Sequence, residues 1–160
     1  MATFVSDSKV AALLAEDKSL PADYLQRIQT KPKRGHRERE LDVKGTGGND
    51  FRLVLRQSMA NALDFSVILT WLPSHTTTPF RLCRYNGRSH EHTNAIESQR
   101  FYAFHVHKAT ERYQVLGARE DAYAEPTTRF QDFAGAVECM IRECGFRVPP
   151  DFQTQIDFTT

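Results

Sequence analysis

Four of the six histidines in this chain fall within 18 residues, as two pairs: His90 and His92, then His105 and His107. Positions i and i+2 of a strand project to the same side, so each pair would present two imidazoles together. Imidazole titrates near neutrality, so one ring can take a proton and another can return it. That is the chemistry of phosphodiester cleavage, which also needs cations to offset the charge building on phosphorus. Arg84, Arg88, Arg100, Lys108 and Arg112 flank the pairs. In this reading His105 and His107 are base and acid, with His90 and His92 beside them. Arg84, Arg88 and Arg112 hold the phosphate, Tyr85 stacks a base, and Arg52 and Arg56 extend the phosphate track. The reaction is metal-independent and calls for no cofactor.

Three other readings use the same residues. Histidines at this spacing suit a zinc site. His90-Glu91-His92, followed by Glu97, resembles the histidine–glutamate core of the cupin metal motif, without the glycines of that motif. The cluster can equally be a non-catalytic contact surface, or a structural set bonded to loop carbonyls and to carboxylates such as Glu97 and Glu111.

Charge is segregated along the chain. The net formal charge is only +1, yet residues 31–112 hold 14 Lys/Arg against 8 Asp/Glu, while the remainder holds 7 against 12. A basic middle between acidic ends suits an anionic partner such as RNA or DNA. It equally suits attraction within the fold. At 160 residues, 40% hydrophobic and 26% charged, the composition is that of a globular domain. No apolar run approaches a membrane span, so no membrane partner is expected. Met1–Asp7 lacks a leader pattern, and the three cysteines, Cys83, Cys139 and Cys144, suit a reducing cytosol. A cytoplasmic location is expected on those grounds.

The elements that must carry the histidines are α+β. Ser6 caps a helix over 6–19, and Pro21 opens a second with Tyr24, Leu25 and Ile28 on one side. Lys31–Arg39 reads as a basic loop entering a strand near Arg39–Lys44, and Gly45-Thr-Gly-Gly as a turn. Phe51–Gln57 alternates, and Asp64–Leu72 is strongly apolar, with Phe65, Val67, Ile68, Leu69 and Trp71. In Phe80–Tyr85, alternation places Phe80 and Leu82 on one face and Arg81, Cys83 and Tyr85 on the other. Residues 88–99 read as a polar loop, and Arg100–Lys108 as a strand. Thr110 caps a helix ending at Gly117, the stretch Arg119–Pro126 is a loop with Glu120, Asp121 and Glu125, and the longest helix covers about 129–144. The expectation is one α+β domain, 1–160: a helical segment over 1–30, a mostly antiparallel sheet of four to five strands over 38–108, helices over 110–146 with the last packed on one face, and an extended tail over 147–160. The open face of that sheet carries His105 and His107.

Arg84-Tyr-Asn-Gly-Arg-Ser-His-Glu-His-Thr-Asn94 and Phe104-His-Val-His-Lys-Ala-Thr-Glu-Arg-Tyr-Gln114 resemble an uncharacterised family of small bacterial proteins, over most of residues 38–146. The resemblance implies a bacterial or mobile-element origin and assigns no activity. The leading expectation is a small cytosolic nucleic-acid-directed protein, a toxin-like ribonuclease by analogy of size and surface. The alternatives are an interaction module, regulatory or antidefence, that docks a protein partner or inhibitor, and a histidine zinc site.

Overall fold

The structure, a computed structural model, describes residues 3–149. Helix α1 spans Asp7–Ala15, and the Ser6 hydroxyl accepts from the Lys9 amide to cap it. Strand β1 (Lys18–Ser19), helix α2 (Tyr24–Arg27), β2 (Lys31–Lys33) and β3 (His36–Lys44) follow. Next come β4 (Asp50–Ser58), β5 (Phe65–Leu72), β6 (Phe80–Asn86), β7 (His92–Asn94), β8 (Gln99–Phe101) and β9 (His105–Lys108). The chain continues as α3 (Glu111–Val115), β10 (Tyr123–Pro126), α4 (Phe133–Glu143) and β11 (Phe146–Arg147). Among the described residues no helix is long and apolar enough to cross a membrane.

The main sheet has seven antiparallel strands in the order β10-β9-β6-β5-β4-β3-β2, not four or five. The extra strands come from segments whose turn-forming residues mask pairing. Lys31–Lys33 and His36 onward close a hairpin whose turn residues, Arg34 (φ 41°) and Gly35 (φ 86°), are both left-handed, as a tight two-residue turn requires. Tyr123–Pro126 pairs with β9 at the sheet's edge, where Pro126 need donate no ladder bond. The 88–99 segment is not all loop: β7 and β8 form a separate hairpin, and Phe101 belongs to it rather than to β9.

Helices α1 and α4 pack on one face of the sheet. Val10 and Leu13 from α1, and Ala136, Cys139 and Met140 from α4, are buried with Phe51, Leu53, Val67 and Leu69. Each fully buried aliphatic side chain contributes about 1.5–3 kcal/mol. Asp132 caps α4 by accepting from the Gly135 amide. The first helix stops at Ala15 because Lys18 turns away into a parallel pair with β11. There its ammonium, fully buried, donates toward the carbonyls of Leu13, Leu14, Glu16 and Cys144 at 2.8–3.1 Å. The tail expected over 147–160 lies largely outside the described residues.

Strand β6 departs from simple alternation. Leu69 pairs with Cys83 and Thr70 with Arg81, so Leu82 is an extra residue, a β-bulge. The bulge reverses the phase of the strand. Cys83 and Tyr85 turn to the helix side, where Tyr85 stacks on Phe130 and donates to Glu143 at 2.6 Å. Arg81 and Arg84 both turn to the opposite face.

Candidate metal centre

His105 and His107 sit on β9, next to β6 on one side and β10 on the other, and opposite Asn86 and Arg84 respectively. They project from the face away from the helices. The β7–β8 hairpin covers that end of the face, leaving His105 only 1% and His107 only 4% exposed. Asn94 anchors the hairpin. Its amide donates to the Ala124 carbonyl (2.7 Å) and its carbonyl accepts from the Ala124 amide (2.9 Å), which reproduces a strand pairing with a side chain. His92, two residues before Asn94, is thereby laid against the other two histidines. Ring centroids are 5.4 Å apart for His92–His105, 4.9 Å for His92–His107 and 5.0 Å for His105–His107.

The hydrogen bonds fix which nitrogens are bare. His105 Nδ1 donates to the Ala103 carbonyl at 2.8 Å, and His107 Nδ1 donates to the Asp121 carbonyl at 2.7 Å. Both rings therefore keep an unprotonated Nε2, and that of His105 is buried with no hydrogen-bond partner. The Ala124 pairing fixes the Asn94 amide with its oxygen toward His92, so His92 Nε2 donates to it at 2.8 Å and Nδ1 is the free nitrogen. One nitrogen from each of the three rings lies within 4.8 Å of the others. Burial pushes His105 down to about 4, helped by His92, His90 and Arg84 and opposed by the bond to Ala103. Burial, then Arg84, pushes His107 down to about 2. Both rings are neutral at physiological pH.

A charged group adjoins the three rings. The Asp121 carboxylate is fully buried, and the guanidinium Nε atoms of Arg84, Arg81 and Arg119 lie 3.3, 3.5 and 3.7 Å from its oxygens. Neither oxygen has an aligned hydrogen bond, so the attraction is one of charge. Arg81 is also held by Glu120 at 3.0 Å. Burial lowers the Arg84 pKa and Asp121 opposes that shift. Outside the rings is a cavity of about 390 Å³, lined by His92, His107, His90, Arg84, Arg119 and Ser89 among others. Gly87 borders it, where a Cβ would lie 1.9 Å from the Leu63 carbonyl oxygen, so the chain passes there only as glycine.

The other residues singled out by type lie elsewhere. His90 is exposed, with its ring 6.5 Å from that of His105. Tyr85 is in the core on the helix side. Arg88 is exposed over the rings of Tyr102 and Phe104. Arg112 bonds Glu97 at 2.6 Å and lies over Tyr123, so Glu97 faces away from the histidines. Arg52 and Arg56 project from β4, separated from β9 by β6 and β5, and are paired with Asp42 at 2.7 Å and Glu38 at 3.0 Å. Of the basic set only Arg84 adjoins the three rings. Reasoning from sequence passed over Asn94, Arg119 and the pairing role of Asp121. The i+2 spacing of His92 and Asn94 was the available signal for the first; nothing local marks the other two.

Comparisons with protein-family models, curated proteins and solved structures found no match, so the functional argument rests on the geometry of this site.

Proposed function

We propose that His92, His105 and His107 hold one divalent transition-metal ion, zinc by ligand type, with a further coordination position open to the adjoining cavity. The observation that carries this reading is that three rings each bring one nitrogen within 4.8 Å of the others, while one nitrogen of each ring is tied to an oxygen. Metal-ligating histidines are oriented in this way, by donating the second ring N–H to a carbonyl or an amide oxygen. A Zn–N bond of about 2.0–2.1 Å places tetrahedral ligands roughly 3.3 Å apart, so small ring rotations would complete the site from a 4.8 Å spread. Three histidines and an open position are the ligand count of catalytic zinc, which lowers the pKa of bound water and polarises a substrate oxygen.

Metal-free acid/base cleavage by His105 and His107 is less well supported. It needs one imidazolium near neutrality, and the burial of both rings disfavours the cation. The test is metal analysis of the purified protein, followed by melting with and without chelator. One equivalent of zinc, a lower melting temperature in chelator, and loss of both on His107→Ala are expected. A wild-type protein that neither copurifies with a metal nor gains stability on adding zinc, cobalt or nickel overturns the reading.

A further inference from the structure

Most of the molecule's other features are already accounted for by packing. The Cys83–Cys144 pair, 3.8 Å apart, is sealed in the core with the Tyr85 hydroxyl. The cavity between Phe4, Val54, Ile68 and Phe80 is apolar, and its only charged walls, Arg81 and Glu120, neutralise each other. The cavity outside the three histidines is different, because two guanidiniums border it together. Arg84 and Arg119 share one carboxylate, Asp121, which Arg81 also approaches, and the wall holds a second carboxylate, Asp64, which accepts from the Ser89 hydroxyl at 3.4 Å. Arg84 Nε is buried with no aligned acceptor. The three proposed metal ligands are all neutral, so a bound divalent ion would keep its full charge and add it to the same space.

We infer that this cavity receives the phosphate group of a phosphate ester, held by Arg84 and Arg119 beside the open metal position. The inference rests on the three-histidine metal reading. A carboxylate is planar and is satisfied by one guanidinium fork, whereas a phosphate offers three terminal oxygens and close to two charges. The cavity supplies cations on separate sides: Arg84 from β6, Arg119 from the loop before β10, and the metal over β9. Thr93 also lines its wall, while the Ser89 hydroxyl is engaged by Asp64 and His90. A volume of about 390 Å³ accommodates a small phosphate ester.

The experiment titrates inorganic phosphate into the zinc-loaded protein by calorimetry, with acetate as the comparison anion. Zinc content is measured first on every sample. Arg119→Gln is the primary variant, because that side chain is 55% exposed and its replacement leaves the core untouched. Arg84→Lys is the second, keeping the charge while losing the fork. Phosphate is expected to bind at least roughly tenfold more tightly than acetate, and Arg119→Gln to weaken phosphate by a similar factor with zinc content unchanged. Full zinc with phosphate binding indifferent to both variants overturns the inference and leaves the metal reading standing. So does equal binding of acetate. A protein that takes up no zinc overturns the metal reading and this inference with it.

Discussion

Arg84 and His107 stand opposite each other across the β6–β9 ladder, on the face away from the helices. The bulge at Leu82 puts Arg84 there. Were Leu82 paired as a regular ladder residue, Arg84 would share a side with Phe80, and Tyr85 would turn to the histidine side. The bulge therefore exchanges a neutral phenol for a cation at the wall of the site. It also brings Arg84 to Asp121, which fixes the charge of the cavity.

That arrangement makes Asp121 a costly charge to remove. Asp121→Asn keeps the shape and leaves Arg84 and Arg119 without an anion, while Arg81 retains Glu120. Losing one partner of a buried charge cluster costs about 3–5 kcal/mol. Urea unfolding should show a loss near 3 kcal/mol, below the full range because Arg119 is half exposed. A loss under about 1 kcal/mol would mean that the guanidiniums are hydrated independently of the carboxylate.

Asn94 is predicted to control His92 without touching a ligand nitrogen itself. Asn94→Ala removes both bonds to Ala124 and the acceptor for His92 Nε2, so the ring loses its fixed tautomer and the hairpin its anchor. Supports of this kind typically contribute 10–100-fold to metal affinity. Competition with a chromophoric chelator should register a weakening of about that size. Unchanged affinity would show that His92 is positioned by its ring contacts alone.

The metal-free protein should lose stability in mild acid. Burial holds folded His105 near about 4 and His107 near about 2. The unfolded chain has both at the ordinary value near 6.5, so below that pH it binds more protons than the folded chain. The contribution is complete above pH 6.5. It is lost as pH falls, by up to about 1.4 kcal/mol per unit for each ring, until the folded value is reached. Between pH 7.5 and 5.5 in chelator, the two rings together should cost about 2–3 kcal/mol of unfolding free energy. A flat profile over that interval would mean that one or both rings protonate in place.

The shared side of His105 and His107 is legible in the sequence because an i, i+2 pair stays together wherever the ladder is regular, as it is along β9. The caps at Ser6 and Thr110 and the Gly117 stop are equally local and fall where they are expected. What lies beyond local pattern is not legible. The phase of β6 depends on a bulge that no residue type announces. Strand β10 is set by a partner, β9, earlier in the chain, and β2 and β10 both contain a proline that ordinarily argues against a strand. The convergence of His92 with His105 and His107 depends on Asn94 meeting Ala124, 30 residues on. His90, two residues from His92, is left in solvent because it precedes the first paired residue of the hairpin.

The Lys18 ammonium also has a consequence for the order in which the molecule is made. Two of its four carbonyl acceptors, Leu13 and Leu14, come from the last turn of α1, a third from Glu16 just after it, and the fourth belongs to Cys144, 126 residues later. At 5–20 residues per second, a ribosome needs about 6–25 s to supply that last oxygen. Until then α1 cannot dock with this charge dehydrated, and β7, β8 and β9 are made within that interval. Ala124, which seats Asn94 and with it His92, also precedes Cys144 in the chain, so every residue that brings the three rings together is made before the oxygen that lets α1 close.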